Sequence, residues 1–417
     1  MSRSLQVSLD FRSHAGEADS VAVGTLAQDG RRVFFEFHPD FLNSGLDISP
    51  LRLPPKASLQ EHRVKPGVPL PGVFSDARPD GWGLKLLHRQ FQAQGRPASS
   101  VSALEELAFL GSHTMGALRF EPSTGTDQAL SQAVELGQLA AHAQAVYDNA
   151  SVEVLPELVR AGVSSGGARP KALIGIGPQD QICSGEGPLP TGFQAWLVKF
   201  PTSSDDSQVA AREQVWMHMA ALAGLDVPET RLLPIHAGHA FAVKRFDRGP
   251  DGQRLHMLSA AGALDVDFRT ARGDYRDLGR LTMHLCRDMR QVRALFRLAV
   301  FNVATVNQDD HLKNLAFLMT PQGAWRLSPV FDLTYSPHSS GYRSTSVMGQ
   351  AQGITHRQIL ELGAALSLSK AQVQETVEEV LSATLQVSQL LEQAGCENLV
   401  SKRAATQVEL ASQALHR

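Results

Sequence analysis

Cysteine is scarce in this chain of 417 residues: Cys183, Cys286 and Cys396 lie far apart and without C-x-x-C spacing. That pattern argues against a disulfide framework or a structural zinc site and fits a reducing cytoplasm. No run of 18 apolar residues occurs, and the opening MSRSLQVSLD lacks the apolar segment of a signal peptide. Membrane insertion and secretion are therefore not expected. Neither sign of charge dominates: 39 Lys and Arg against 42 Asp and Glu give a net charge of −3. The chain as a whole has no nucleic-acid footprint. Arg287, Arg290, Arg293 and Arg297 do gather on one potential helix, where a solvated face is the ordinary reading. Also missing are a GxxxxGK[ST] phosphate loop, an HRD tripeptide, a DFG tripeptide, internal repeats and long low-complexity tracts.

What is present is concentrated in residues 302–332. There Asn302-Val-Ala-Thr-Val-Asn307-Gln-Asp309-Asp310-His311-Leu-Lys313-Asn314 is followed by a short apolar run, a turn and Phe331-Asp332-Leu333. An Asp and an Asn five positions apart, then an Asp after a hairpin-length gap, is the layout of a kinase phosphotransfer centre. In that chemistry Asp309 orients the attacking hydroxyl, while Asn314 and Asp332 hold Mg²⁺ on the ATP phosphates. The local pattern agrees. Leu295, Leu298, Ala299, Val303 and Val306 form one helical stripe leading into the polar loop 307–314. Leu315–Met319 and Trp325–Val330 flank Pro321-Gln322-Gly323 as a tight hairpin. In isolation each motif has an ordinary structural explanation, since DxxxxN recurs by chance and an Asp after a strand is usually a turn residue. Their order and spacing together carry the reading.

The remaining parts of a phosphotransfer site lie upstream in the expected order. Residues 161–171, with Ser164-Ser165-Gly166-Gly167-Ala168-Arg169-Pro170-Lys171, form a Gly/Ser-rich turn before an apolar strand. Glycines let backbone amides approach phosphate oxygens closely. Lys199 ends the strand Ala195-Trp196-Leu197-Val198-Lys199-Phe200, and Glu213 follows on a predicted helix. These two match the Lys–Glu pair that positions the α- and β-phosphates. The strand Phe241–Lys244 then breaks at Arg245-Phe246-Asp247, where a hinge contacting adenine belongs.

These segments resemble the HipA family, bacterial serine/threonine kinase toxins of HipBA toxin–antitoxin systems, and the resemblance covers nearly the whole chain. Its most specific pieces are Ser164–Lys171, Trp196–Phe200, Val243–Arg248, Asn307–Asn314 and Phe331–Leu333. The resemblance implies Asp309 and Lys199 as catalytic residues and Asn314 and Asp332 as metal ligands. It implies a loop at Gly166, Gly167, Ala168, Arg169, Pro170 and Lys171 over ATP, with adenine contacts at the backbone of Lys244, Arg245 and Phe246. Glu213 would support Lys199. The cofactors implied are ATP and Mg²⁺. A serine of the glycine loop, Ser164 by position or its neighbour Ser165, would be autophosphorylated, ejecting the loop. The implied partners are a protein substrate linked to translation and a helix-turn-helix antitoxin of HipB type, with DNA reached only through that partner. The chain departs from the family in having Asp310 where some members have Gly, and Lys244 where an acidic residue is common. Asp310 as a second carboxylate raises a neighbouring pKa, binds metal or faces solvent. His311 either shapes the site near Asp332 or is structural, Lys313 is a candidate γ-phosphate contact, and residues 339–346 are an activation segment or a flexible linker. Three alternative functions stand beside the kinase reading: a catalytically weak ATP-binding regulator, a kinase of a non-protein substrate, and chiefly a component of a DNA complex.

The expected fold is α+β, a two-lobed protein-kinase-like architecture with an N-terminal β/α subdomain and a mostly α-helical C-terminal lobe. Residues 1–125 form the subdomain, 126–250 the nucleotide-binding lobe and 251–417 the helical catalytic lobe. Within them the pattern predicts strands at 5–11, 21–27 and 33–37, a helix from Pro79-Asp80-Gly81-Trp82-Gly83 towards residue 93, and a connecting helix over 128–147. Helices at 355–394 and near 397–416 close the chain.

Overall fold

The computed structural model describes residues 3–11, 20–125, 134–150, 156–164, 166–185, 187–236, 238–249 and 252–416. The chain divides into two compact units. One comprises residues 1–207, 233–267 and 318–324, and the other 208–232, 268–317 and 325–417.

The first unit opens with β1 (Arg3–Asp10), β2 (Ser20–Asp29) and β3 (Arg32–Phe37), as the sequence pattern predicts. Alternation sets their faces: Leu5, Val7 and Leu9 on β1 and Val33, Phe35 and Phe37 on β3 are buried. Gly30 at φ +59° closes the β2–β3 hairpin, a conformation that glycine adopts without strain. After α1 (Pro39–Asn43), β4 (Gln60–His62), α2 (Gly72–Ala77), α3 (Gly81–Ala93), α4 (Ala103–Leu110) and β5 (Leu118–Glu121), the sheet is complete in the order β4-β3-β2-β1-β5. Phe74 on α2 packs against Phe35 and Phe120, ring centroids 4.9 and 6.2 Å apart, and joins helix to sheet. Of the predicted connecting helix, α5 (Leu136–Tyr147) forms the later part, and residues 128–133 lie outside the described residues.

Next come α6 (Pro156–Gly162), β6 (Lys171–Ile176), β7 (Ile182–Ser184) and β8 (Gln194–Lys199); then α7 (Val209–Leu222) of the other unit, β9 (Thr230–Ile235) and β10 (Gly238–Lys244). The sheet order is β7-β6-β8-β10-β9. Ala172, Ile174 and Ile176 of β6 and Trp196 and Val198 of β8 point into one core with Trp82, Leu86, Val146 and Leu158. Period-2 geometry therefore turns Lys171, Leu173, Leu197 and Lys199 to the opposite face. β11 (His256–Ser259) and α8 (Ala260–Leu264) complete the unit.

The second unit is mostly helical. Its elements are β12 (Gly273–Asp274), α9 (Tyr275–Cys286), α10 (Met289–Ala304), β13 (Ala316–Met319), β14 (Trp325–Leu327), β15 (Thr345–Ser346) and α11 to α14 (His356–Ala365, Lys370–Thr384, Val387–Gln393, Leu399–His416). Asp274 and Asp288 cap α9 and α10 through their carboxylates, so each helix begins where the sequence supplies an acceptor. The stripe Leu295, Leu298, Ala299 and Val303 is buried as predicted. Val306 lies past the helix end at φ +55°, an uncommon conformation for a β-branched residue. The basic residues of α10 do not all face solvent: Arg293 pairs with Glu375 at 2.8 Å and Arg297 with Glu379 at 2.5 Å, both on α12.

One buried group gives the first unit a pH dependence. His256 is fully buried and its Nε2–H donates to the Ile48 carbonyl at 3.0 Å. Burial outweighs that bond and lowers its pKa to about 4 from an ordinary value of 6.5. A lowered folded-state value means that the unfolded chain takes up the proton first, so stability falls as pH drops from about 6.5 to about 4. The expected loss is on the order of 3 kcal/mol across that window. Urea denaturation at stepped pH is expected to show this slope in the wild type and a flatter one in His256→Gln.

Candidate functional site

In the second unit the loop after α10 is built around a buried carboxylate. Asp310 is 6% exposed and does not face solvent. Its Oδ2 accepts from Tyr275 OH at 2.8 Å and from Arg343 Nη2 at 2.9 Å, and its Oδ1 accepts the Thr345 N–H at 3.0 Å. A relay runs onward. Asn302 Nδ2 donates to Tyr275 OH (2.8 Å), Asn307 Nδ2 to Asn302 Oδ1 (3.0 Å), and Ser336 Oγ to Asn307 Oδ1 (2.8 Å). Ser336 Oγ in turn accepts the backbone N–H of Asp309 at 3.3 Å. Burial, followed by the adjacent Asp310 charge, raises the Tyr275 pKa well above its ordinary value, so the phenol stays a donor.

This bracing leaves Asp309 exposed beside its buried neighbour. Desolvation raises the Asp309 pKa, the carboxylates of Asp332 and Asp310 raise it further, and His311 and His338 oppose them. Asn314 lies in the turn Leu312–Asn314, where its Nδ2 donates to the Asp309 carbonyl at 3.0 Å and its Oδ1 is left as an acceptor. His311, Asn314 and Asp332 line one small cavity. Asp332 has φ +56°, in the left-handed region where Asp is tolerated but strain is common at functional positions. His311 Nδ1 is buried with no hydrogen-bond partner among the described residues, and its ring packs 4.9 Å from Phe268. The Lys313 ammonium lies 5.5 Å from the centre of the same Phe268 ring. The three residues read from spacing, Asp309, Asn314 and Asp332, are thus brought together, with His311 beside them. Glu213 is buried on α7 of this unit.

Residues 343–346 are not a loose linker. Arg343 and Thr345 are buried, and Ser346 Oγ donates to Asp274 Oδ2 at 2.7 Å beside the two-residue β12–β15 pairing. Spacing alone had not singled out Tyr275, Asn302, Asn307, Ser336 and Arg343 as supports. A signal did exist for Asn302, a polar residue on an otherwise apolar helix face that must find a partner when buried.

In the first unit, Lys171 and Lys199 are directly opposed across the β6–β8 pair. Opposed residues of antiparallel strands share a face. Lys171 is buried and donates to the Gly166 carbonyl; the Lys199 ammonium lies 5.7 Å from the Phe241 ring centre. Gly167 has φ +91°, Pro170 is buried, Ala168 is exposed, and Arg169 pairs with Asp205 at 2.9 Å. Ser164 is 8% exposed. Ser165 lies outside the described residues.

A cavity of about 440 Å³ in the same unit is lined by Ser164, Leu173, Leu189, Ala195, Lys244 and Arg245, with Ser112–Thr114 from the N-terminal region. The β10 strand ends here. The Arg245 N–H donates to the Ala195 carbonyl at 2.9 Å, and its guanidinium to Asp247 at 2.7 and 2.9 Å. Burial alone would raise the Asp247 carboxyl, but Arg245 and Arg248 outweigh it and hold it well below the usual carboxylate range. Phe246 is half-buried between these anchored neighbours.

These two clusters sit on a protein-kinase-like α+β fold. The chain belongs to the HipA family: the model for the HipA-like C-terminal domain matches residues 163–388, and that for the HipA N-terminal domain matches residues 18–121. It is 29% identical over 206 residues to "Putative kinase Y4dM" of Sinorhizobium fredii, covering 45% of this chain and 50% of that protein. To "Putative kinase Y4mE" of the same organism it is 26% identical over 261 residues, covering 57% and 58%. The chain therefore spans about half the length of the curated relatives it matches. A solved complex of HipA, HipB and operator DNA from Shewanella oneidensis aligns with a TM-score of 0.71 at 18% identity, over 98% of this chain and 96% of that one. At that identity the likeness concerns the fold. No helix among the described residues is long and apolar enough to cross a membrane.

The Asp310 network generates a direct expectation. Arg343→Met leaves a buried carboxylate without its cation and is expected to cost about 3–5 kcal/mol of stability in urea denaturation. Adding Asp310→Asn is expected to cost less than the sum of the single changes, because the two side chains share one interaction.

Proposed function

We propose that this chain is an ATP- and Mg²⁺-dependent serine/threonine protein kinase. The observation that carries the reading is the convergence of Asp309, Asn314 and Asp332 on one braced loop. Asn314 Oδ1 and the Asp332 carboxylate are hard oxygen donors of the kind that suit Mg²⁺. Magnesium bound there would neutralise charge on the phosphates of ATP.

The chain's own groups divide the remaining work. Asp309 accepts a hydrogen bond from the acceptor hydroxyl, aligns it and takes its proton late. A raised pKa makes it a better base than an ordinary carboxylate near neutral pH. Lys199 holds the phosphates, with Lys171 opposite it on the same sheet face. Gly166 to Pro170 cover the nucleotide, and the cavity lined by Lys244 and Arg245 takes the adenine. Ser164 is the autophosphorylation site we favour. It lines that cavity and is buried, so a phosphate of charge near −2 cannot be accommodated there unless the loop moves out.

The biological role we propose is the toxin of a toxin–antitoxin pair, cytoplasmic and acting on a translation-linked protein. Its partner would be a HipB-like antitoxin that contacts DNA. The family assignment supports this role, and the near-neutral net charge of −3 agrees with DNA being reached through the partner.

Two outcomes are expected in an assay of ADP release with Mg²⁺. Asp309→Asn lowers turnover by about 10²–10⁴-fold. The acid limb of the wild-type pH–rate profile falls above the ordinary carboxylate value of about 4, because the folded pKa of Asp309 is raised. Turnover in Asp309→Asn equal to wild type would instead favour a nucleotide-binding regulator.

A further inference from the structure

The Gly166–Gly167 peptide is held at both ends by side chains. Its C=O accepts from the Lys171 ammonium, and its N–H donates to the Asp80 carboxylate. The following carbonyl, of Gly167, accepts the Trp82 N–H at 2.8 Å, and Trp82 Nε1 donates to the Lys171 carbonyl at 2.8 Å. Asp80 is 5% exposed. The segment Asp80-Gly81-Trp82 is moulded on the loop: a Cβ at Gly81 would meet Gly167 O at 2.5 Å, and one at Gly162 would meet Trp82 Nε1 at 3.0 Å. All of these residues belong to the first unit.

A glycine loop cradles phosphate by turning N–H groups towards it. Here the Gly167 N–H is already committed to a carboxylate, the protein group that most resembles a phosphate oxygen in charge and acceptor strength. We infer that Asp80 is a positioning residue of the nucleotide loop that competes with the nucleotide: its carboxylate holds the amide that a phosphate oxygen would take.

One peptide plane carries both bonds, so the two are coupled. Turning that plane takes the N–H from Asp80 and the C=O from Lys171 together. It frees the amide for an anion. Glycine on both sides of the bond makes the turn sterically cheap, and Gly167 at φ +91° already occupies a region closed to most side chains. Lys171 stands opposite Lys199 on the same sheet face, so both ammonium groups lie on the side of the sheet that the turned peptide would serve. The N-terminal region thereby sets nucleotide affinity without touching the nucleotide. This inference rests on the nucleotide reading of the loop proposed above.

The test compares wild type with Asp80→Asn, which keeps the shape and removes the charge. Three quantities are measured: the Kd for ATP with Mg²⁺ by calorimetry, amide exchange over residues 163–171 without nucleotide, and thermal unfolding. Asp80→Asn is expected to bind ATP about three- to tenfold more tightly and to exchange faster at the loop. Equal or weaker ATP binding with wild-type-like unfolding overturns the competition. Asp80→Ser, another neutral acceptor, replaces Asp80→Asn if that variant unfolds. If wild type binds no ATP, the nucleotide reading falls, and exchange alone then decides: equal exchange in the two proteins overturns the hold of Asp80 on the loop.

Discussion

The Asp310 carboxylate, buried and paired with Arg343, is the constraint on which the second unit's chemistry depends. A carboxylate and a guanidinium this deep each lose their hydration, and only mutual pairing with complete hydrogen bonding offsets that loss. Tyr275 and the segment carrying Arg343 and Thr345 converge on the carboxylate from two separate parts of the sequence, so its position fixes theirs. The relay through Asn302, Asn307 and Ser336 carries this fixity to the Asp309 backbone. The exposed Asp309 side chain thus projects from a rigid seat, and Asn314 is tied to the same backbone by its amide. A phosphotransfer site needs this arrangement because its contribution is positioning and charge rather than covalent chemistry.

Much of this was legible in the sequence, for a physical reason in each case. The strands at β1 to β3 and the stripe of α10 follow from apolar periodicity, which burial enforces. The DxxxxN and later Asp were legible because their spacing is set by a turn and a hairpin, both local structures. Supports were not legible where they depend on pairing between distant segments. Arg343 sits in a polar, Ser-rich run that reads equally well as a linker, and only its contact with Asp310, 33 residues earlier, makes it a core residue. Asp310 itself was ambiguous, because whether an acidic residue faces water or a buried cation is a tertiary matter. The solvated-face reading of the arginines holds for Arg290 and for Arg287, which caps α9, but not for Arg293 and Arg297, whose glutamate partners are on α12.

The first unit shows a different use of charge. Lysines stand opposed on one sheet face, and the arginines beside the cavity are balanced by Asp247. The glycine loop between them is neither loose nor self-supporting. It takes its shape from Asp80, Gly81 and Trp82, contributed by the part of the chain that the HipA N-terminal domain matches. A small β/α subdomain that the sequence presents as an N-terminal extension therefore takes part in building the glycine loop.

The most direct test of the central claim is peptide mass spectrometry of the purified chain after incubation with Mg²⁺ and ATP, beside Asp309→Asn. The account predicts one phosphate in the glycine loop, on Ser164 or its neighbour Ser165, in the wild type and none in the variant. Phosphate on neither protein, with ATP binding intact, would contradict it.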